Sequence, residues 1–213
     1  MNLDSLQEWL APARTALCII DPQVDFIAPH GLLANLGVDV APLAAPLGRI
    51  QRLLEQARAS GVAVYFIGLA QSVEGCPPSW QQRLLRSDKD LQVANSLCVE
   101  LSPGAEFFGV QPHEGEQVVW KHRYSAFHGT DLATRLRATG IDTLAVCGFT
   151  TECCVDSTVR DAFHQDFAVF VASDACAAYD PQIHRHSLAV LAESFAINLE
   201  TDVLIQAWSH DHA

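Results

Sequence analysis

The chain carries little charge, and little of that is positive. Only 18% of its 213 residues are charged, with 13 Lys and Arg against 25 Asp and Glu, giving a net charge of −12. No basic run stands out, which argues against nucleic acid and anionic membranes as partners. Long apolar runs are also missing: stretches such as residues 62–69 are far too short to cross a bilayer, so no membrane partner is expected. The opening stretch MNLDSLQEWLAPAR lacks the basic region and apolar run of a secretory signal, and a cytoplasmic location is the expectation. The seven cysteines (Cys18, Cys76, Cys98, Cys147, Cys153, Cys154 and Cys176) are odd in number and irregularly spaced, and no C-x-x-C occurs. That excludes an obvious disulfide framework or zinc knuckle. Cys18, Cys147 and Cys176 sit in or beside apolar runs and read as small core residues.

What the chain does have is apolar substance. It is 49% hydrophobic, which suits one compact domain over residues 1–213 with a sizeable core. The low charged fraction fits a chain with surface buried in an oligomer, although a large core lowers it too. Apolar runs of strand length fall at residues 15–20, 62–67, 118–120, 143–147 and 167–172, with a short one at 197–199. Helical spacing falls between them, at 42–59 (stopped by Gly61), 130–139 (stopped by Gly140), 151–164 and 184–194. Alternating strands and helices predict right-handed βαβ units and a mostly parallel sheet, an α/β fold. Residues 70–116, with Pro77-Pro78 and Pro103-Gly104, fit this rhythm worst and read as an excursion that could overhang a site.

An open parallel sheet binds ligands beyond the carboxyl ends of its strands. Asp21-Pro-Gln-Val-Asp25-Phe26 follows the first strand there. Lys121-His-Arg-Tyr-Ser-Ala-Phe127 follows the third, and Gly148-Phe-Thr-Thr-Glu-Cys-Cys154-Val155 follows the fourth and opens a helix. A carboxylate, an amine and a thiol thus converge on one rim. A helix N-terminus favours a thiolate and offers N–H groups to an oxyanion. Lys121 would stabilise the thiolate, and Asp21 could move its proton. Each residue also has a plainer reading: Asp21 as a turn residue, Lys121 as a solvated charge, Cys154 as a structural cysteine.

These motifs resemble those of the isochorismatase-like cysteine hydrolase superfamily, which includes nicotinamidases, N-carbamoylsarcosine amidases, ureidoacrylate amidohydrolases and biuret hydrolases. Asp21-x-Gln23-x-Asp25-Phe26 is similar to its D-x-Q-x-D-F. The run from Lys121 through Ser125, Phe127, Thr130 and Leu132 is similar to its K-x-x-x-S-x-F…T-x-L. Gly148 through Ala162 is similar to its G-x-x-T-x-x-C-V-x-x-T-x-x-x-A. The resemblance, in order over about residues 15–180, implies a single-domain, Rossmann-like three-layer sandwich. It implies hydrolysis of a C–N bond in a small amide or ureido substrate through a covalent intermediate, with no cofactor. Cys154 would be the nucleophile and Cys153 its non-catalytic neighbour. Asp21 would be the general acid/base and Lys121 the charge stabiliser. A cis peptide would precede Thr150, whose N–H would form the oxyanion hole with that of Cys154. Phe26 and Gln23 would meet the substrate. Relatives commonly form dimers or tetramers, so a homo-oligomer is expected.

Departures sharpen this. Nicotinamidases carry a D-x-H metal motif after the second strand; Ile67-Gly-Leu-Ala-Gln-Ser-Val has neither Asp nor His, so no metal is expected and nicotinamide recedes as substrate. Isochorismatases proper lack the nucleophilic cysteine, and Cys154 argues against their vinyl-ether hydrolysis. The Thr-Thr-Glu-Cys-Cys-Val run looks closer to the biuret and ureidoacrylate branch. Alternatives are an inactive binding relative or a nicotinamidase-like metalloenzyme. Asp174 and Tyr179 should follow the fifth strand, as capping or pocket residues. Arg83 and Arg86 read as a solvated face that could greet a carboxylate. His184 and His186 read as structural or surface residues, and the stretch from Ser209 onward as a loose tail.

Overall fold

In a computed structural model of the chain, residues 3–72, 78–79, 82 and 96–209 are described. Arg83, Arg86, Cys76 and the last four residues lie outside them, so the readings made of those residues are not addressed. Six strands form one sheet: β1 (Thr15–Ile20), β2 (Ala63–Leu69), β3 (Gln117–Lys121), β4 (Thr143–Phe149), β5 (Ala168–Ala177) and β6 (Ile197–Leu199), in the order β3-β2-β1-β4-β5-β6. Every pairing is parallel. β1 and β4 are buried along their whole length, which is why Thr-Ala-Leu-Cys-Ile-Ile and Thr-Leu-Ala-Val-Cys-Gly-Phe read as nearly unbroken apolar runs.

Among the described residues, the α-helices whose full extent is described are, in chain order, α1 (Leu3–Trp9), α2 (Val24–Ile27), α3 (Leu32–Asn35), α4 (Ala44–Ser60), α5 (Leu132–Ala138), α6 (Asp156–His164), α7 (Pro181–Ser194) and α8 (Thr201–Trp208). From β1 the chain steps through α4 to β2 on one side of the sheet. From β4 it steps through α6 to β5 on the other. Right-handed crossovers running in opposite directions place α4 and α6 on opposite faces. The strand order therefore reverses between β1 and β4, where a crevice opens at the carboxyl ends.

α4 turns Pro46, Ile50, Leu53, Leu54 and Ala57 into the core. It stops at Gly61, whose φ of 73° is left-handed. The N–H groups of Gly61 and Val62 both donate to Ala57 O, so Val62 belongs to the helix exit and β2 begins one residue later than predicted.

Two boundaries correct the sequence reading more seriously. β5 does not end at Ala172. Its pairing with β4 shifts between Val146 and Gly148, then continues to Phe149↔Ala177. Asp174 therefore lies inside β5 rather than beyond it. One of its carboxylate oxygens accepts from the N–H and hydroxyl of Thr201, at the start of α8, and the other pairs with Arg49 of α4 at 3.0 Å. The helix expected at 184–194 begins at Pro181, where Asp180 Oδ1 accepts from the N–H groups of Gln182 and Ile183. Within 70–116, the described residues 103–108 return to the turn after β1: Val24 N–H donates to Glu106 O and Phe108 N–H to Pro22 O.

Candidate active site

Asp21 is the first residue past β1. Its N–H donates to Ile67 O at 2.8 Å, extending the sheet by one bond, while its φ of 49° turns the chain out of the strand. A left-handed, non-glycine residue at a strand end is the kind of backbone strain that functional sites retain. Lys121 is the last residue of β3, in register with Leu69. Its side chain runs inward, and Asp21 and Lys121 are both 0% exposed. The ammonium has three donors. They meet Asp21 Oδ2 at 2.8 Å, Arg123 O at 3.2 Å and Cys154 Sγ at 3.4 Å. A buried cation is tolerable only when so completely answered.

The third group comes from the far side of β1. β4 approaches β1 closely at Gly148, where a Cβ would stand 2.1 Å from Ile20 O and where φ is 122°. Only glycine permits that approach. The chain then passes a cis peptide at Phe149–Thr150 and winds into a π-turn, Thr151–Val155, before α6. The sequence predicted one helix from 151 to 164; the π-turn is its first part, and such turns recur at functional sites. Cys153 and Val155 N–H both donate to Thr150 O and close the turn. Cys154 is buried like the other two, at 6% exposed against 0% for Asp21 and Lys121.

The electrostatics differ from the expectation of a helix-stabilised thiolate. Contact with the Cys153 thiol, burial and the Asp21 charge raise Cys154 well above the ordinary range, against the pull of Lys121. These influences favour the thiol over the thiolate. Burial also raises Asp21 above the usual carboxylate range, partly offset by Lys121 and Cys154. Burial alone would lower Lys121, but Asp21 and Cys154 outweigh it and hold the amine above its ordinary value as a fixed cation. Asp21 Oδ1 is buried and has no hydrogen-bond partner among the described residues, which leaves it the oxygen free to take a proton.

The other residues of the motifs fall into place around this cluster. Gln23, expected to meet substrate, braces the backbone around the cluster. Its Nε2 donates to Leu69 O and Ala105 O, each at 2.8 Å, and its Oε1 accepts from Leu69 N–H at 2.7 Å. Both amide N–H groups are thus spent on backbone carbonyls, and the side chain is fully buried. Asp25 accepts from Leu32 N–H and Cys98 N–H, clamping the segment opposite. Phe26 is half-buried against Leu69, Cys98 and Ala105, and its carbonyl accepts from the Tyr179 hydroxyl at 2.9 Å. Burial raises the Tyr179 phenol, with Glu152, Cys98, Cys154 and Asp21 adding to the effect, so this side chain belongs to the site's surroundings. Thr158 of α6 accepts from Ala126 N–H and ties down the loop after Lys121.

His184, read as structural or surface, is brought against the π-turn: its Nδ1 lies 2.8 Å from Thr151 Oγ1. Nothing local in the sequence links residues 151 and 184. His186 is exposed. Among the described residues no group of three His, Cys, Asp or Glu is arranged to hold a metal ion.

Comparison with known proteins agrees with this geometry. Residues 15–203 match the isochorismatase domain family. Among curated relatives, the ureidoacrylate amidohydrolase RutB of Methylobacterium radiotolerans is 33% identical over 87% of this chain and 76% of its own length. That of Acinetobacter baylyi is 30% identical over 95% and 86%. Among solved structures, a cysteine hydrolase from Pseudomonas syringae pv. phaseolicola superposes with a TM-score of 0.81 at 30% identity, covering 92% of this chain and 93% of that one. An N-carbamoylsarcosine amidase from Thermoplasma acidophilum gives 0.69 at 26%, covering 89% and 97%.

Proposed function

The chain belongs to the isochorismatase family, and from that premise we propose that it is a cysteine-dependent hydrolase of small amides or ureides, with Asp21, Lys121 and Cys154 as its triad. The observation that carries the proposal is the single ammonium of Lys121, in contact with both the Asp21 carboxylate and the Cys154 sulfur. A neutral thiol beside a buried carboxylate needs no cofactor to become a nucleophile at the moment of attack.

The chemistry runs in two halves. Cys154 Sγ attacks the carbonyl carbon while its proton passes to Asp21. The oxyanion is held by the N–H groups of Thr150 and Cys154. The C–N bond then breaks as Asp21 returns that proton to the leaving nitrogen, and ammonia or a small amine departs. A thioester, acyl or carbamoyl, remains on Cys154. Water attacks it, Asp21 takes the water's proton, and the C–S bond breaks as that proton goes back to sulfur. Lys121 keeps its charge throughout and steadies whichever of its two neighbours is anionic. Phe26 lines the pocket beside this centre. Ureides come first among substrates, because the curated relatives named above are ureidoacrylate amidohydrolases.

A nucleophilic thiol favours a reducing compartment, and we place the protein in the cytoplasm on that ground; all six described cysteines are free. We also propose a homo-oligomer, since Trp9, Phe163, Ile183, Val190 and Ile197 are exposed in a chain with few charges.

The test is ammonia release from biuret, ureidoacrylate, N-carbamoyl amino acids, maleamate and nicotinamide, with isochorismate as a vinyl-ether control. Release from a ureide or amide, with isochorismate untouched, is the expected result. Cleavage of isochorismate with no ammonia from any other compound would overturn the proposal.

A further inference from the structure

One histidine outside the triad reaches the turn that carries it. His184 sits in the first turns of α7, 2.8 Å from the hydroxyl of Thr151. Thr151 is fully buried and directly follows Thr150. The backbone bonds from Cys153 and Val155 fix the carbonyl of Thr150; the His184 contact fixes the side chain of the next residue. Together they hold the Thr150–Thr151 peptide, which fixes Thr150 from its carbonyl side and so bears on where its own N–H points. The geometry points to His184 as a positioning residue for the oxyanion-binding N–H groups of Thr150 and Cys154, an inference that rests on the triad reading above.

The charge state of the ring supports this role. Burial, with Arg185 adding to it, holds His184 below its ordinary 6.5, so the ring is neutral at neutral pH. In the tautomer that carries its proton on Nε2, Nδ1 accepts a hydrogen bond from the Thr151 hydroxyl, and this is the arrangement the inference uses. Along the chain it is flanked by Asp180, the cap of α7, and by Arg185 and His186, while Glu152 and Cys153 follow Thr151 in the π-turn. Asp156 of α6 is paired with Arg160, Asp174 of β5 is paired with Arg49, and β6 carries no titratable side chain. No neighbouring carboxylate raises the ring's affinity for a proton. Protonation would make Nδ1 a donor and reverse the bond, turning the Thr151 hydroxyl proton toward a buried surrounding.

The role separates two reactions of one sulfur. Acylation of Cys154 by p-nitrophenyl acetate forms an S–C bond and expels nitrophenolate through a tetrahedral oxyanion, so it needs the two N–H groups. Alkylation by iodoacetamide displaces iodide directly and does not. In the full chain, His184→Phe and His184→Ala are expected to slow acylation by about 10- to 100-fold while alkylation keeps its wild-type rate. His184→Asn, with an acceptor close to the Nδ1 position, should restore most of the acylation. The ratio of the two rates should fall in the wild type as pH drops below 6.5 and stay flat in the Asn variant. Thr151→Val, which keeps the size and removes the hydroxyl, should give the same split even if a His184 variant fails to fold. Equal slowing of both reactions, no slowing, or an Asn variant as slow as Phe would overturn the inference. A nitrophenolate burst surviving in Cys154→Ala would instead overturn the triad reading, whatever the His184 variants do.

Discussion

At the scale of single residues the site is a problem in charge burial. Lys121 and Asp21 tolerate a dry environment because each answers the other, and removing one leaves the other uncompensated. Lys121→Met should therefore destabilise the fold by about 3–5 kcal/mol, visible in urea unfolding, besides abolishing turnover. Asp21→Asn should lower kcat by roughly 10²- to 10⁴-fold, since proton transfer is lost. The sign of the wild-type pH profile follows from the same carboxylate. In the proposed mechanism Asp21 acts in its ionised form, and burial raises it above 3.8, so activity should fall on the acid side along a limb displaced upward from that value. Gln23→Leu tests that bracing. It strands two carbonyls and one N–H, and should cost about 1–3 kcal/mol for each group left unanswered, with an unfolding midpoint lowered accordingly. A raised KM with no loss of stability would return Gln23 to the pocket. The grouping of Asp21, Lys121 and Cys154 was legible because Asp21 follows β1, Lys121 ends β3 and Cys154 lies in the turn after β4, on the rim where a parallel sheet gathers its ligands. Gln23 was not, because its partners lie 46 and 82 residues away and leave no local mark.

At the scale of elements the same division holds. The strands and long helices were readable from apolar spacing to within a residue or two. The misses have particular causes. β5 was cut short because Ser173 and Asp174 interrupt its apolar run, although Asp174 is answered by Arg49 and Thr201 from other elements. Asp180-Pro181 carried the start signal for α7, but the apolar spacing began later. α1, α2, α3 and α8 are each eight residues or fewer, and α1, α2 and α8 have no glycine stop like Gly140, which marked the equally short α5. The join of β4 to β1 turns on one glycine. Gly148→Ala would drive a methyl into Ile20 O in a left-handed conformation. Purified Gly148→Ala should show a lowered melting temperature together with lost turnover, since the same displacement parts Cys154 from Asp21. Asp180→Ala, by contrast, removes only a cap and should cost about 1 kcal/mol with turnover largely kept.

At the scale of the whole molecule the reversal of strand order between β1 and β4 explains why residues 21, 121 and 154 share one rim although they are far apart in the chain. The α/β class and the place of the site were therefore legible together. The contact between His184 and Thr151 was not, because it depends on how α7 lies across a turn from another crossover. The exposed apolar side chains give an expectation at this scale as well: light scattering on purified protein should report a dimer or tetramer, and a monomer at micromolar concentration would refute it. The central claim is that the sulfur next to Lys121, and not that of its half-buried neighbour Cys153, attacks the substrate. Ammonia release by Cys153→Ala and Cys154→Ala, compared side by side on the best wild-type substrate, tests it most directly. Turnover retained in Cys153→Ala and lost in Cys154→Ala is the expected result; turnover that survives in Cys154→Ala would contradict it.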